Sequence, residues 1–223
     1  MDIARLARQS GLSTAIGKQF WPGYAGEMSG LFRYFSVGSA IALVVAAITL
    51  ATIQRQNEVQ DLVEVSESQN LALARALANS IGPRFASFLI SAPELNPDAL
   101  REAPETLAIR EALSTATAGL PVLKVKIYDL NGLTIFSSDP KQIGEDVSDN
   151  PGFLKAARHG KPASKLSYRD TFSAFSGVVE EVDLIESYLP VHRRGGLIQG
   201  VFELYTDVTP VLFTIKQRTI EHL

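Results

Sequence analysis

The chain has 223 residues, 46% of them apolar and 20% charged, with a net charge of −3. That balance offers no basic stripe for nucleic acid. The absence of cysteine excludes a disulfide scaffold, a thiolate zinc site and a cysteine nucleophile, and only three histidines occur, His159, His192 and His222.

Phe35 to Ile53 reads FSVGSAIALVVAAITLATI, without a charge and bracketed by Arg33 and Arg55. At 1.5 Å per residue this run is about 30 Å long, the thickness of a hydrocarbon core. It is longer than the core of a signal peptide and starts late, so an uncleaved membrane helix over 35–53 is expected. Residues 1–34 carry Arg5, Arg8, Lys18 and Arg33 against Asp2 and Glu27, whereas 55–67 carry Arg55 against Glu58, Asp61, Glu64 and Glu67. The basic side stays inside. The expected arrangement is a cytoplasmic tail over 1–34 and an exported region from 54 onward. Gly38, Ala42 and Ala46, four apart, allow two such helices to approach closely.

Small and apolar residues recur three or four apart from Val59 to Phe88, predicting a long helix over 54–90, kinked at Gly82-Pro83. A second helix is expected over 98–116, broken near Pro104. Val122–Asp129 and Leu133–Ser138 read as two strands joined at Asn131-Gly132, a strong hairpin signal. Leu123, Val125 and Ile127 alternate with Lys124, Lys126 and Tyr128 in the first of them. Asn150-Pro151 opens a short helix that ends at Gly160. Strands are expected at 163–168, 183–191 and 197–205, the last two joined by a turn at Arg193-Arg194-Gly195-Gly196. Asp207 or Thr209 caps a final helix. This order predicts an α+β domain, with a five-stranded antiparallel sheet backed by helices.

The order of elements resembles the Cache superfamily of PDC-like sensor domains. Val125–Gly144, VKIYDLNGLTIFSSDPKQIG, carries most of the likeness, with Gly196–Thr206 matching the last strand and Val208-Thr209-Pro210 the start of the exit helix. The resemblance covers about residues 35–223. It implies a PAS-like sheet and a sensory role, with a small extracytoplasmic ligand and a membrane-embedded homodimer. It implies an output of histidine kinase or diguanylate cyclase type, carried by a longer parent beyond a second membrane helix. On that reading 54–207 is the sensor domain, in the periplasm or outside the cell, and 208–223 is the exit helix. The membrane is the bacterial inner membrane.

A ligand site needs a few convergent polar groups in a mostly apolar setting. The candidates are Tyr128, Ser137 and Ser138 on the first hairpin, Tyr168 and Arg169 at the end of the third strand, Ser187 and Tyr188 on the fourth, and Tyr205 on the fifth. Arg169 suits a carboxylate ligand, which guanidinium binds in a bidentate manner. The resemblance places the pocket on the membrane-distal face, under the segment that carries Arg158 and His159. Arg158 and His159 suit the helix C-terminus equally well. The acidic segment Asp139, Glu145, Asp146 and Asp149 lacks the spacing of a calcium loop and reads as solvated, as does His192-Arg193-Arg194. Glu180-Glu181 are expected beside a loop. No metal or cofactor is implied. The competing readings are an exported enzyme, for which no HExxH, GxSxG or P-loop pattern speaks, and an anchored scaffold.

Overall fold

The computed structural model describes residues 24–192 and 196–221. The N-terminal residues up to 23, with Arg5, Arg8, Lys18 and Trp21, lie outside the described residues, as do Arg193, Arg194, Gly195 and His222. By internal contacts the chain divides into two units, Met1–Ile53 and Gln54–Leu223.

Helix α1 is assigned from Tyr24 to Ser91, 68 residues. Its part in the first unit contains the uncharged Phe35–Ile53 run, in which Ile41, Leu43 and Leu50 stand exposed. Thr49 returns its hydroxyl to the Val45 carbonyl at 2.8 Å, which satisfies a polar group inside the apolar run. Among the described residues this is the one helix long and apolar enough to cross a membrane.

In the second unit α1 continues to Ser91, with Pro83 inside the helix. As expected, the helix continues past Gly82-Pro83. Tertiary packing on both sides of the proline, through Ala74, Leu77, Ile81 and Phe85, holds the helix together. A short 3-10 turn, Ala92–Glu94, leads to α2, Pro97–Glu102, and α3, Pro104–Thr117. Asn96 caps α2 by accepting from the Ala99 N–H. Ala103 is pushed out of the helical region by Pro104, so the helix is broken there, as expected.

The strands are β1 (Val122–Tyr128), β2 (Thr134–Ser137), β3 (Ala163–Ala174), β4 (Gly177–His192) and β5 (Ile198–Asp207). Helix α4, Pro151–His159, lies between β2 and β3, and α5, Thr209–Glu221, follows β5. All pairings are antiparallel and the order is β2-β1-β5-β4-β3, with β5 central. The protein is therefore α+β, with a five-stranded PAS-like sheet flanked by helices. Asp129 makes the first hairpin by accepting from the N–H groups of Asn131 and Leu133. At the start of β2 the Thr134 carbonyl accepts from the Gly144 N–H and the Thr134 N–H donates to the Glu145 carbonyl. Among the described residues no strand lies beside the outer edge of β3.

The third and fourth strands are longer than their sequence suggests. They pair from Ala163↔Tyr188 to Ala174↔Gly177, so Tyr168 and Arg169 sit mid-strand and Glu180-Glu181 lie within β4 rather than by a loop. Glu181, at φ 51°, interrupts the alternation and brings Phe172 onto the face of Val182. The hairpin end curls back so that the Phe175 N–H bonds the Leu123 carbonyl at 2.8 Å. Leu123 also departs from its expected face: an irregularity between Val122 and Lys124 turns it toward Phe172 and Tyr205.

One face of the sheet receives α1, α2 and α3. Leu77, Ile81, Leu100, Ile109 and Leu113 pack against Val125, Ile127, Phe202 and Leu204. Each such side chain contributes about 1.5–3 kcal/mol by leaving water. A polar cluster interrupts this apolar layer. Asn70 of α1 donates to Ser187 Oγ and accepts from Thr206 Oγ1, both at 3.0 Å, and Ser164 reaches Ser187 at 2.9 Å. Replacing Asn70 with Ala leaves buried hydroxyls without their partner and is expected to cost about 1–3 kcal/mol. Urea denaturation of the two chains measures this, and an unchanged midpoint refutes the bridging role.

Candidate functional site

The opposite face is polar and buried. Strand alternation projects Lys124, Lys126 and Tyr128 from β1, Glu203 and Tyr205 from β5, and Glu186 and Tyr188 from β4. The register sets them in two rows. Lys126 lies opposite Glu203, which lies opposite Tyr188; Lys124 lies opposite Tyr205, which lies opposite Glu186. Lys124 and Lys126 are 4% and 5% exposed, Glu186 and Glu203 2% and 0%. Side chains of these types are almost never so buried without partners.

Most have partners. Glu186 Oε1 accepts from Ser167 Oγ and Arg169 Nη2, each at 2.6 Å, and Oε2 meets Lys165 at 3.0 Å. Burial alone would push the Glu186 carboxyl up; Ser167, Lys165 and Arg169 outweigh it and hold the carboxyl below its ordinary value. Lys124 donates to Gln142 Oε1 at 3.1 Å and stands 4.2 Å from the centre of the Phe172 ring. Burial, then the charge of Lys126, lower its pKa. Lys126 meets Glu145 at 3.6 Å. Tyr128 donates to Glu203 Oε2. Burial first, then the Glu203 charge, raise the pKa values of Tyr128, Tyr188 and Tyr205, so all three remain phenols. Among the described residues two buried side-chain atoms have no hydrogen-bond partner, Glu203 Oε1 on this face and Thr134 Oγ1 on β2; the Tyr188 and Tyr205 phenols stand close enough to Glu203 to feel its charge.

Two elements roof this face. Helix α4 lays Phe153, Ala156 and Ala157 over Tyr128 and Tyr188. The Tyr128 ring meets Phe153 edge-on at 5.8 Å and stacks on Tyr188 at 6.2 Å. Asn150 caps α4 through the N–H groups of Gly152 and Phe153, and Gly160 closes it in the left-handed region. A Cβ on Gly152 would come within 2.5 Å of the Tyr188 ring, so only glycine lets α4 approach this closely. At the other end the β3–β4 hairpin sets Phe172 against Tyr205 at 5.0 Å.

Of the residues expected from sequence, Tyr128, Tyr188 and Tyr205 converge here, and Arg169 joins them through Glu186. The others do not. Ser187 faces α1 and bonds Asn70. Ser138 is buried and accepts from the Val125 N–H, a structural contact. Ser137 Oγ accepts from the Asp139 N–H. Tyr168 is 53% exposed on β3. Arg158 and His159 are exposed in the last turn of α4. Sequence reasoning missed Lys124, Lys126, Glu186 and Glu203. Their signal was present: charges at alternate positions in three strands, one of them inside the apolar run VFELY. Such charges ordinarily mark a solvent face, and only the roof of α4 and the hairpin makes this face an interior.

No family model matches the chain. No curated protein matches it. Solved structures similar to it include the sensor domain of E. coli DcuS, 20% identical, over 71% of this chain and 97% of that one, with a TM-score of 0.44. The sensor domain of the V. cholerae histidine kinase DctB is 20% identical over 72% of this chain and 60% of that one, TM-score 0.35. The periplasmic domain of RsbU from Chlamydia trachomatis is 14% identical over 74% and 59%, TM-score 0.36. The chain thus spans less than two thirds of the last two. Likenesses at this level identify no ligand.

Glu186 has a pH signature. Its carboxyl is held below the ordinary value of 4.5 in the folded chain, so on acidification the unfolded chain binds the proton first. Its contribution is full above that value and is lost as pH falls through the folded one. Glu186→Gln is expected to cost about 1–2 kcal/mol at neutral pH, modest for a buried carboxylate because Lys165 and Arg169 are partly in water. The gap between wild type and variant should close at acid pH. Denaturation midpoints across the acid range check this; a constant gap contradicts it.

Proposed function

We propose that the chain is the sensory region of a transmembrane receptor, which binds a small extracytoplasmic ligand on the polar face of the sheet. The observation that carries this reading is the Glu203 carboxylate. It is wholly buried on the central strand, with one oxygen unpartnered, among two buried lysines and three phenols. An unpaired buried acceptor costs about 1–3 kcal/mol, and more when it belongs to a carboxylate kept from water. A bound donor removes that cost. Lys124 and Lys126 favour an anionic group on the same molecule. The ligand class that satisfies both is a small carboxylate bearing a hydroxyl or ammonium donor. Entry requires the α4 roof to move, since α4 packs directly on Tyr128 and Tyr188.

The route outward follows from the strand that carries Glu203. β5 runs through Tyr205 and Val208 into α5. The Thr209 N–H bonds Asp207 Oδ1, and its hydroxyl accepts from the Asp183 N–H, both at 2.9 Å. Val208 and Leu212 pack with Ile185 beside Val59, Leu62 and Val63 of α1. A shift of β5 therefore reaches both helices at one place. On this reading residues 1–34 are cytoplasmic, 35–53 span the inner membrane, 54–207 form the exported sensor and 208–223 the exit helix. The working unit is a homodimer coupled to a histidine kinase or diguanylate cyclase output. Ligand shifts a two-state equilibrium of the helices.

Two experiments test this. Small carboxylates with and without a donor group are added to the chain in lipid nanodiscs and its melting followed. A fitting ligand at a hundred times its Kd stabilises by about 2.7 kcal/mol, a rise of about 5–10 °C for a domain of this size. Lys126→Met is expected to abolish the rise. A rise that persists undiminished in that variant rules out the polar face as the site. Separately, single cysteines placed along 54–75, clean reporters in a cysteine-free chain, should cross-link between copies in different patterns with and without ligand. Identical patterns would count against signalling through α1.

A further inference from the structure

We propose a second small-molecule site on the opposite face of the sheet, between α1 and strands β1 and β5, suited to an uncharged, mainly apolar molecule with one hydrogen-bond donor. A cavity of about 210 Å³ lies there. Ala78, Ile81 and Gly82 of α1 form one wall, and Ile127 and Phe202 of the sheet the other. Ile90, 69% exposed, stands at its mouth. The lining is mainly apolar, and Asp129 and Gln199 are among its few polar residues. A dry apolar cavity of roughly 150 Å³ already accepts benzene. This one has room for a fused bicyclic ring such as indole, whose single N–H can turn to Asp129 or Gln199.

Gly82 supplies an independent observation. Glycine is the worst helix former after proline, and here Pro83 follows it. Local preference thus opposes the helix at two successive positions. A glycine in such a place ordinarily makes room for a packed neighbour. Here none exists: a Cβ at position 82 would meet nothing within 4 Å. Gly82 is among the residues that line the cavity, and its bare backbone faces open space there. The same strand serves both faces, because Ile127 walls this cavity while the adjacent Tyr128 side chain bonds Glu203. The site does not depend on the ligand proposed for the polar face.

The test uses the full chain in lipid nanodiscs with 5-fluoroindole as probe, followed by fluorine NMR. The wild type should give a saturable shift or broadening above the linear partition into lipid. Gly82→Leu places a bulky side chain at the cavity wall and should bind the probe more weakly by roughly tenfold or more. Gly82→Ala, which adds one methyl, should weaken binding less; it carries the test if the larger variant does not fold. No saturable signal in the wild type overturns the proposal. So does saturable binding that both variants leave unchanged, since the probe then sits elsewhere.

Discussion

A carboxylate on the middle strand of a five-stranded sheet, removed from water on every side, constrains everything around it. Glu203 cannot remain there without donors and compensating charge. Tyr128 supplies the donor from the neighbouring strand, and Lys126 lies opposite in register. The roof then has to be tight enough to exclude water and yet built over rings. That accounts for Gly152 against Tyr188, for the cap at Asn150, and for a β3–β4 hairpin long enough to bring Phe172 over Lys124 and Tyr205. The far face answers to a different rule. It is an apolar layer under α1, α2 and α3, and its polar cluster at Asn70 is fully paired.

Much of the architecture is legible in the sequence because local and tertiary preferences agree there. The apolar run 35–53, the Asn131-Gly132 hairpin, the Asn150-to-Gly160 helix and the split at Pro104 each have a local cause. Misreadings arise where tertiary contacts override the local signal. The segment from Thr171 to Glu181 reads as loop because Ser, Gly and paired Glu interrupt its alternation. In the folded chain Glu181 takes a left-handed conformation that preserves the pairing while exchanging the faces.

The polar face shows the same division. Tyrosines can be placed from a strand pattern alone, since a ring with one polar end suits a half-buried position. Lysine and glutamate cannot. Lys124, Lys126, Glu186 and Glu203 follow the pattern of a wet surface, and their burial is created by elements far away in sequence. Arg169 falls between these cases. Its value lies less in meeting a ligand than in holding Glu186, so that the second acidic group on this face is spent within the protein and Glu203 alone retains an open valence.

The uncovered edge of β3 has a consequence for colloidal behaviour. Twelve residues of strand with unpaired backbone groups on one side form a template for another chain, and sheets with such edges tend to grow by addition. Lys165, Arg169 and Asp170 stand along it. Any strand arriving there must strip water from these charges. The two cations that neutralise Glu186 on the inside therefore also act as gatekeepers on the outside, keeping a concentrated population of these domains from polymerising through their sheets.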